Sequence, residues 1–500
     1  MKYSKYLAID IGASHGRAIL GILRNGRLTF EEIHNFPNTP IVEEERIHWD
    51  VRSLFCEILK GLQKCTEAGH ASINSMAIDT WGIDFGILND QGILIGKPHH
   101  YRDPRTDGVK DKFFKVIPEI DLYMLTGIQT IKFNTLFQLY SMKLDNSSDL
   151  QEAGTLLFMP DLLNYLLTGK KFTEFSIAGT SQLLDLESRM WSTEMLAMLG
   201  IPCEFFPEIR PSCSVVGMLR DEFSGGGMMK SIPVIAVTEH DTQAAIASIP
   251  STNGKYAYIS CGTWSIMGVE TDKTICTEDS CKSGFSNEIG LSDKVCLLKT
   301  IPGLWLIQEC RAQWEREGER INYQQMELVV LAAEQFKSFI DPEDEMFILP
   351  GDMPERIREY CRKTGQFVPG SIGEIVCCIL QSLAMKYRTT LNDLERICGY
   401  EIPVVHIVGG GVKDRTLCRF SANAMGRRVI AGPVEATAIG NVIQQAIALG
   451  DIEDIQEGRK IIKQSCRIID YEPVDAEVWQ EAYQNYSTII GRDKNNDGNE

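Results

Sequence analysis

Three short segments combine small residues with groups able to hold a phosphate or move a proton. Asp10-Ile11-Gly12-Ala13-Ser14-His15-Gly16-Arg17 is the first. Its glycines leave main-chain N–H groups open to an anion, and Arg17 can add a charge-assisted contact. A carboxylate such as Asp10 can hold Mg²⁺ through water, because that ion sheds its hydration shell reluctantly. The plainer alternative is a hairpin turn with an edge arginine. Gly409-Gly410-Gly411, after the apolar run Val404–Val408, is the second. A helix starting beyond it offers unpaired donors, and three glycines exceed what a helix cap requires. His240-Asp241-Thr242 is the third. Asp241 reads either as an ordinary helix N-cap or as a carboxylate at a strand end that takes a proton from an alcohol.

A fourth segment, Asp79-Thr80-Trp81-Gly82-Ile83-Asp84, sets carboxylates beside an indole. That mixture suits a polyol, whose hydroxyls bond carboxylates while its C–H faces pack on the ring; the alternative is a core tryptophan with loop aspartates. Tyr101-Arg102-Asp103 with Arg105 has a similar character, with surface ion pairing as the default reading. The stretch around Ser14 also fits G-x-S-x-G, but the nucleophile elbow needs a helix after its serine, and a strand follows here. The chain has neither G-x-x-x-x-G-K-[ST] nor an H-R-D loop, which disfavours P-loop and protein-kinase chemistry.

The elements that must carry these residues alternate between strands and helices. Tyr6–Ile9, Arg17–Leu23 and Leu28–Phe30 read as a β-meander, with Asn25-Gly26 as its hairpin turn. Val51–Glu67 has helical periodicity, and Ser75–Ile78 reads as a buried strand. Pro233–Val237 is another strand, and residues 243–249 are helical by pattern. A second strand-turn-strand begins at Tyr256–Ser260, turns at Cys261-Gly262-Thr263 and returns through Ser265–Val269. Gly12 and Gly262 stand half the chain length apart, each with a small hydroxyl residue nearby. This doubling predicts two related α/β domains, divided at the linker-like run Pro250-Ser251-Thr252-Asn253-Gly254. Later helices are expected over residues 303–311, 374–387 and 415–425, and a disordered polar tail over 491–500.

Composition narrows the function classes. The 500 residues are 44% hydrophobic and 24% charged, which excludes wholesale disorder, collagen and coiled coil. Fifty Lys and Arg against 68 Asp and Glu give a net charge of −18, the wrong sign for a general nucleic-acid or anionic-membrane binder. No run reaches the length of a membrane span, and Asp10 and its neighbouring glycines break up any secretory h-region. Fifteen scattered cysteines without C-x-x-C fit a reduced, cytoplasmic protein better than a zinc or disulfide framework.

Several segments together resemble the FGGY carbohydrate kinases. They are AIDIGASHGR at 8–17, DTWGIDFGIL at 79–88, YRDPRTDGV at 101–109, EHDTQAA at 239–245, YISCGTWSIMGVE at 258–270, GLWLIQECRAQW at 303–314, HIVGGGVKD at 406–414 and AGPVEATAIGN at 431–441. The resemblance spans about residues 6–445. It implies two ribonuclease-H-like domains of the actin and sugar-kinase superfold, with a nucleotide- and sugar-binding cleft between them. The sugar-binding domain would cover 1–249 and the nucleotide-binding domain 255–490. By the same resemblance Ala13, Ser14, His15, Gly16, Arg17, Thr263, Gln308 and Gly410 match ATP-binding positions, and Asp10 matches the aspartate associated with Mg²⁺. Gly82, His240, Asp241 and Thr242 match sugar-binding positions, with Asp241 as catalytic base. The implied activity is transfer of the γ-phosphoryl of MgATP to the 1-hydroxyl of a ketose, L-rhamnulose foremost. Another ketose or polyol kinase, of fuculokinase or xylulokinase type, is the near alternative, and an ATP-gated actin-like binding protein the distant one. Two positions depart from the pattern: His15 stands where serine is usual, and Thr300 where an asparagine usually touches the sugar.

Overall fold

The structure, a computed structural model, describes residues 3–70, 72–185, 187–224, 232–251 and 254–496, with side chains up to 491. Thr252 and Asn253 of the expected linker lie outside the described residues. Contacts divide the chain into two compact units. One comprises Met1–Thr252, Glu270–Leu297 and Ala436–Cys466; the other comprises Asn253–Val269, Leu298–Glu435 and Arg467–Glu500. None of the fifteen cysteines is disulfide-bonded, and no helix of the described residues is long and apolar enough to cross a membrane.

The first unit opens on a meander, β1 (Tyr3–Ile11), β2 (His15–Arg24) and β3 (Arg27–Pro37). Asn25 and Gly26 both take positive φ, 52° and 74°, the two-residue hairpin their types predict. β3 runs on to Pro37, well past the expected Phe30. Its later residues are mostly polar and exposed, so hydrophobicity does not mark the end of this edge strand. Helix α1 (Val51–Glu67) starts where the Asp50 carboxylate accepts the Ser53 amide. Then follow β4 (Ser75–Thr80), β5 (Ser214–Met218), β6 (Pro233–Ala236) and helix α2 (Asp241–Ala247). The sheet order is β5-β6-β4-β1-β2-β3; β1, β4 and β6 run parallel and the other pairings are antiparallel.

From Tyr6 to Ile11, β1 is buried on both faces because each face is covered. Leu7, Ile9 and Ile11 join Leu54, Ile58 and Leu62 of α1 in one core cluster. Tyr6 and Ala8 point the other way, onto Ala438, Ile439, Val442 and Ile443 of α3 (Ala436–Ala448). Full burial of Ile58 is worth about 2–3 kcal/mol, so its truncation to Ala would cost roughly 2–5 kcal/mol.

The second unit repeats the pattern. Its sheet contains, in spatial order, β9 (Val295–Pro302), β8 (Trp264–Thr271), β7 (Tyr256–Cys261), β10 (Val404–Val408), β11 (Arg428–Ala431) and β12 (Ile469–Tyr471). β7 pairs antiparallel with β8 and parallel with β10, β10 parallel with β11, and β11 antiparallel with β12. The expected helix at 374–387 is part of a 27-residue helix, Ile372–Cys398, started by a Ser371–Glu374 capping box and stopped at Gly399 with φ 71°. The last helix, Ala476–Asn496, continues through the first residues of the expected tail; extending a helix is far easier than nucleating one. Residues 497–500 lie outside the described residues.

Candidate functional site

In the first unit, the parallel strands deliver three carboxylates to neighbouring ends. Asp10 lies near the end of β1 and is in register with Asp79 of β4; Asp241 begins α2, just beyond β6. A backbone bond from Thr80 N to Glu239 O (2.9 Å) ties the β4 end to the segment before Asp241. Asp10 is buried and receives the Arg17 guanidinium at 2.7 Å. Asp79 is fully buried; its Oδ2 accepts the Asn441 amide at 2.6 Å, and its Oδ1 has no hydrogen-bond partner among the described residues. Burial first, and then the Asp10 charge, push the Asp79 carboxyl well above the usual range.

Asp241 is not a helix cap. His240 holds the cap position without a side-chain capping bond, and Asp241 is the first residue inside the helix. Its side chain keeps 29% exposure, and the Thr242 hydroxyl donates a long bond (3.3 Å) to its Oδ1. Burial pushes its carboxyl up to about 6, His240 opposes the shift and Asp10 adds to it. A carboxylate with free lone pairs, placed at strand ends and titrating nearer neutrality than an ordinary aspartate, has the character of a general base.

Beneath it lies a cluster that sequence reading missed. Glu174 is fully buried and accepts from Ser176 N (2.8 Å), Ile177 N (3.1 Å), the Ser176 and Ser212 hydroxyls and, at 3.1 Å, Glu239 N. Ser176 Oγ in turn lies 3.3 Å from His240 N, so one buried carboxylate fastens two successive amides ahead of Asp241. Asp161 and Glu239 are also fully buried, and burial raises both carboxyls well above their usual range. Gln444 of α3 bonds Thr238 twice, at N (2.7 Å) and Oγ1 (2.8 Å). No local motif marks the roles of Glu174 and Gln444 here, because the partners that matter, Glu239 and Thr238, are far away in sequence.

The segment at 79–84 departs from the polyol reading. Asp84 is fully buried and accepts from the Trp49 indole (2.6 Å), the Trp81 indole (3.0 Å), Tyr101 N (3.0 Å) and Gln138 (2.8 Å), so its oxygens are committed internally. Trp81 is a core residue packed on Trp49, with ring centroids 4.0 Å apart. Together they fix the turn at Gly82-Ile83. A Cβ on Gly82 would come within 2.9 Å of Thr180, and Ile83 holds φ 68°, a strained value for a β-branched residue.

The turn from Gly12 to Ser14 is closed by Gly12 N to His15 O (2.9 Å) and braced by Asn38 on Gly12 O (3.0 Å). Ala13 and Arg17 are half-buried, Ser14 and His15 exposed, and Gly16 is buried against Phe36. The turn leads straight into β2, as no nucleophile elbow does. Asp10, Asp79 and this turn fit a hydrated Mg²⁺ on a phosphate. An orphaned carboxylate oxygen lies among them, while the described residues contain no three-ligand cluster able to grip a bare ion.

In the second unit, Thr263 Oγ1 meets Gln308 Oε1 at 3.2 Å, and the 262–263 carbonyls accept from Gly303 N, Leu304 N and Trp305 N. The three glycines after β10 have separable reasons. Gly409 takes φ 86°, and a Cβ on Gly411 would lie 2.2 Å from Cys261 Sγ. Gly410 is exposed, and a Cβ there would meet nothing within 4 Å. Backbone conformation and packing therefore explain Gly409 and Gly411, whereas nothing nearby requires a glycine at 410. Thr300 lies half-buried on β9.

Residues 5–247 match the N-terminal domain, and residues 257–449 the C-terminal domain, of the FGGY family of carbohydrate kinases. A rhamnulokinase of Bacteroides thetaiotaomicron is 41% identical over 485 residues, covering 97% of this chain and 99% of its own. A rhamnulokinase of Oceanobacillus iheyensis is 39% identical over 471 residues, covering 94% and 99%. Among solved structures, a ligand-bound xylulose kinase from Lactobacillus acidophilus aligns with TM-score 0.82 at 15% identity, covering 98% of each chain. A gluconate kinase from the same organism gives TM-score 0.80 at 14% identity, again over 98% of each chain. At such identities these two likenesses concern the fold alone.

Proposed function

The chain belongs to the FGGY family of carbohydrate kinases and is an ATP-dependent sugar kinase; from that premise we propose that it phosphorylates the 1-hydroxyl of L-rhamnulose, giving L-rhamnulose 1-phosphate and ADP. The substrate follows the name carried by relatives 41% and 39% identical along nearly the whole chain. Asp241 takes the hydroxyl proton as the new O–P bond forms and the bond from the γ-phosphorus to ADP breaks. The observation that carries this role is an Asp241 carboxylate recessed at the strand ends yet free of any capping duty. Gly82, His240 and Thr242 hold the sugar. Ala13 to Arg17, Thr263, Gln308 and Gly410 contact the nucleotide through main-chain and small polar groups. Asp10 would hold the hydrated Mg²⁺ that accompanies ATP and, when bound, offsets phosphate charge. With little covalent chemistry to perform, these residues act by positioning and electrostatics. Residence in the cytoplasm, with its MgATP, belongs to the same proposal.

The test is ADP release with a panel of L-rhamnulose, L-fuculose, D-xylulose and glycerol. L-rhamnulose is expected to give the highest kcat/KM. A clear preference for another sugar would replace the substrate assignment, and ATP hydrolysis indifferent to every sugar would refute the phosphoryl acceptor altogether.

A further inference from the structure

The His240 imidazole is held between two carboxylates. Its Nδ1 lies 3.1 Å from Glu288 Oε2, and its Nε2 lies 3.6 Å from Asp241 Oδ1. The Glu288 contact is close but poorly aligned for a hydrogen bond, so its principal effect is that of charge on charge. The two partners are differently exposed: the His240 and Glu288 side chains keep 10% and 14% exposure, against 29% for Asp241. Water therefore screens the inner pair less than the outer one.

Glu288 is itself anchored. It lies on the strand Ser286–Ile289, where Asn287 N bonds Gly127 O at 2.7 Å. Its Oε2 also accepts the Gln243 amide at 3.0 Å, and Gln243 belongs to the helix that Asp241 begins. Gln243 Oε1 accepts the Cys296 thiol at 3.2 Å. Glu288 is thus fixed to the element carrying the base and to the histidine before it, and no sequence motif connects it to either.

We infer that Glu288 is a positioning residue for phosphoryl transfer: it holds the His240 ring with Nε2 turned toward Asp241 and keeps a cationic imidazolium beside the base. The inference rests on the reading of Asp241 as that base. The charges around the pair show why it would be needed. Burial disfavours a charged Asp241, and so does Asp10, while the His240 charge favours it most and the Thr242 hydrogen bonds add to that. Asp79 is a further neighbour of like sign, and Arg17 is engaged with Asp10. For His240, burial disfavours the cation, but Glu288, Asp241 and Glu174 outweigh it and raise the imidazole above its usual value. Glu288 is held below the usual carboxylate range in spite of its burial, first by the His240 charge. Without Glu288, the buried ring would lose its proton more readily, and Asp241 would lose its supporting cation.

Full-length Glu288→Gln tests this, with ¹⁵N-histidine NMR and steady-state kinetics. His240→Gln serves only to assign the resonance among the chain's eight histidines. The His240 midpoint is expected above that of an ordinary imidazole in the parent, and lower in Glu288→Gln by about one pH unit. The kcat/KM for the ketose should fall about tenfold, the size of one lost contact to a charged group, while the KM for ATP stays within about twofold. Glu288→Asp should recover part of both. An unmoved His240 midpoint with a uniform loss of turnover would overturn the inference and leave the base assignment standing. Full turnover in Asp241→Asn would remove the base assignment, while the NMR shift would still report the Glu288–His240 pair. If Glu288→Gln unfolds, Glu288→Ala, which also removes the charge, carries the same readout, and an unmoved midpoint there is equally decisive against the inference.

Discussion

The two sheets share one order over six strands and differ in what those strands deliver. In the first, β1 and β4 carry Asp10 and Asp79 one residue before their ends, and the segment after β6 leads to Asp241. In the second, the corresponding β7 and β10 end on Cys261 and Val408, followed by Gly262-Thr263 and Gly409-Gly410-Gly411. Acids stand at the first unit's strand ends, beside the Gly12 turn, where the second unit has glycines and Thr263. Their buried acids differ as well. Asp79, Asp84, Asp161, Glu174 and Glu239 of the first unit are fully buried with their carboxyls raised, although buried Asp103 there is held low; in the second, half-buried Glu343 is held low beside Lys299 and Lys386, and burial raises Asp414. A duplicated scaffold can therefore divide labour: proton and metal chemistry suit strand ends with carboxylates, and phosphate contacts suit strand ends with glycines.

The comparison breaks most visibly at Asp241. Asp241→Asn should lower kcat roughly 10³-fold while calorimetry still detects sugar binding; near-parental turnover would leave the first unit without its base. Next in size is Gly411→Ala, where the added Cβ meets Cys261 Sγ. Overpacking should cost about 1–3 kcal/mol in denaturant unfolding, and adding Cys261→Ala should recover part of it. Gly410→Ala sharpens the contrast, since its Cβ enters open space. Stability should stay within about 0.5 kcal/mol, and the KM for ATP should rise about fivefold as the added methyl crowds the approaching nucleotide, with the sugar KM unchanged.

The smallest effect is thermal. Asp84 holds its proton up to about pH 6 when folded, well above the range in which the unfolded chain loses it. The raised carboxyls thus make the folded state bind more protons than the unfolded one, and stability falls as pH rises through about 4 to 6 and beyond. Tm should be a few degrees higher at about pH 5.5 than at 7.5, and Asp84→Asn should flatten that slope.

The β-meander, its Asn25-Gly26 turn and the second strand-turn-strand were legible because each is set by residues adjacent in sequence. The polyol reading of Asp84 fell short for the opposite reason. Its donors come from Trp49, Tyr101 and Gln138, which the chain brings together only on folding. Glu174, Glu288 and Gln444 are likewise ordinary polar residues until long-range packing sets them beneath the His240–Asp241 turn.

Sequence alone determined the family, the doubled α/β plan and the identity of the residues able to do chemistry, because motifs record local chemical requirements. Tertiary structure decided which carboxylates stay available. Asp84 is saturated by internal donors, Asp79 is half-satisfied, and Asp241 keeps an open side, since burial and distant hydrogen-bond partners set how a carboxyl can be used.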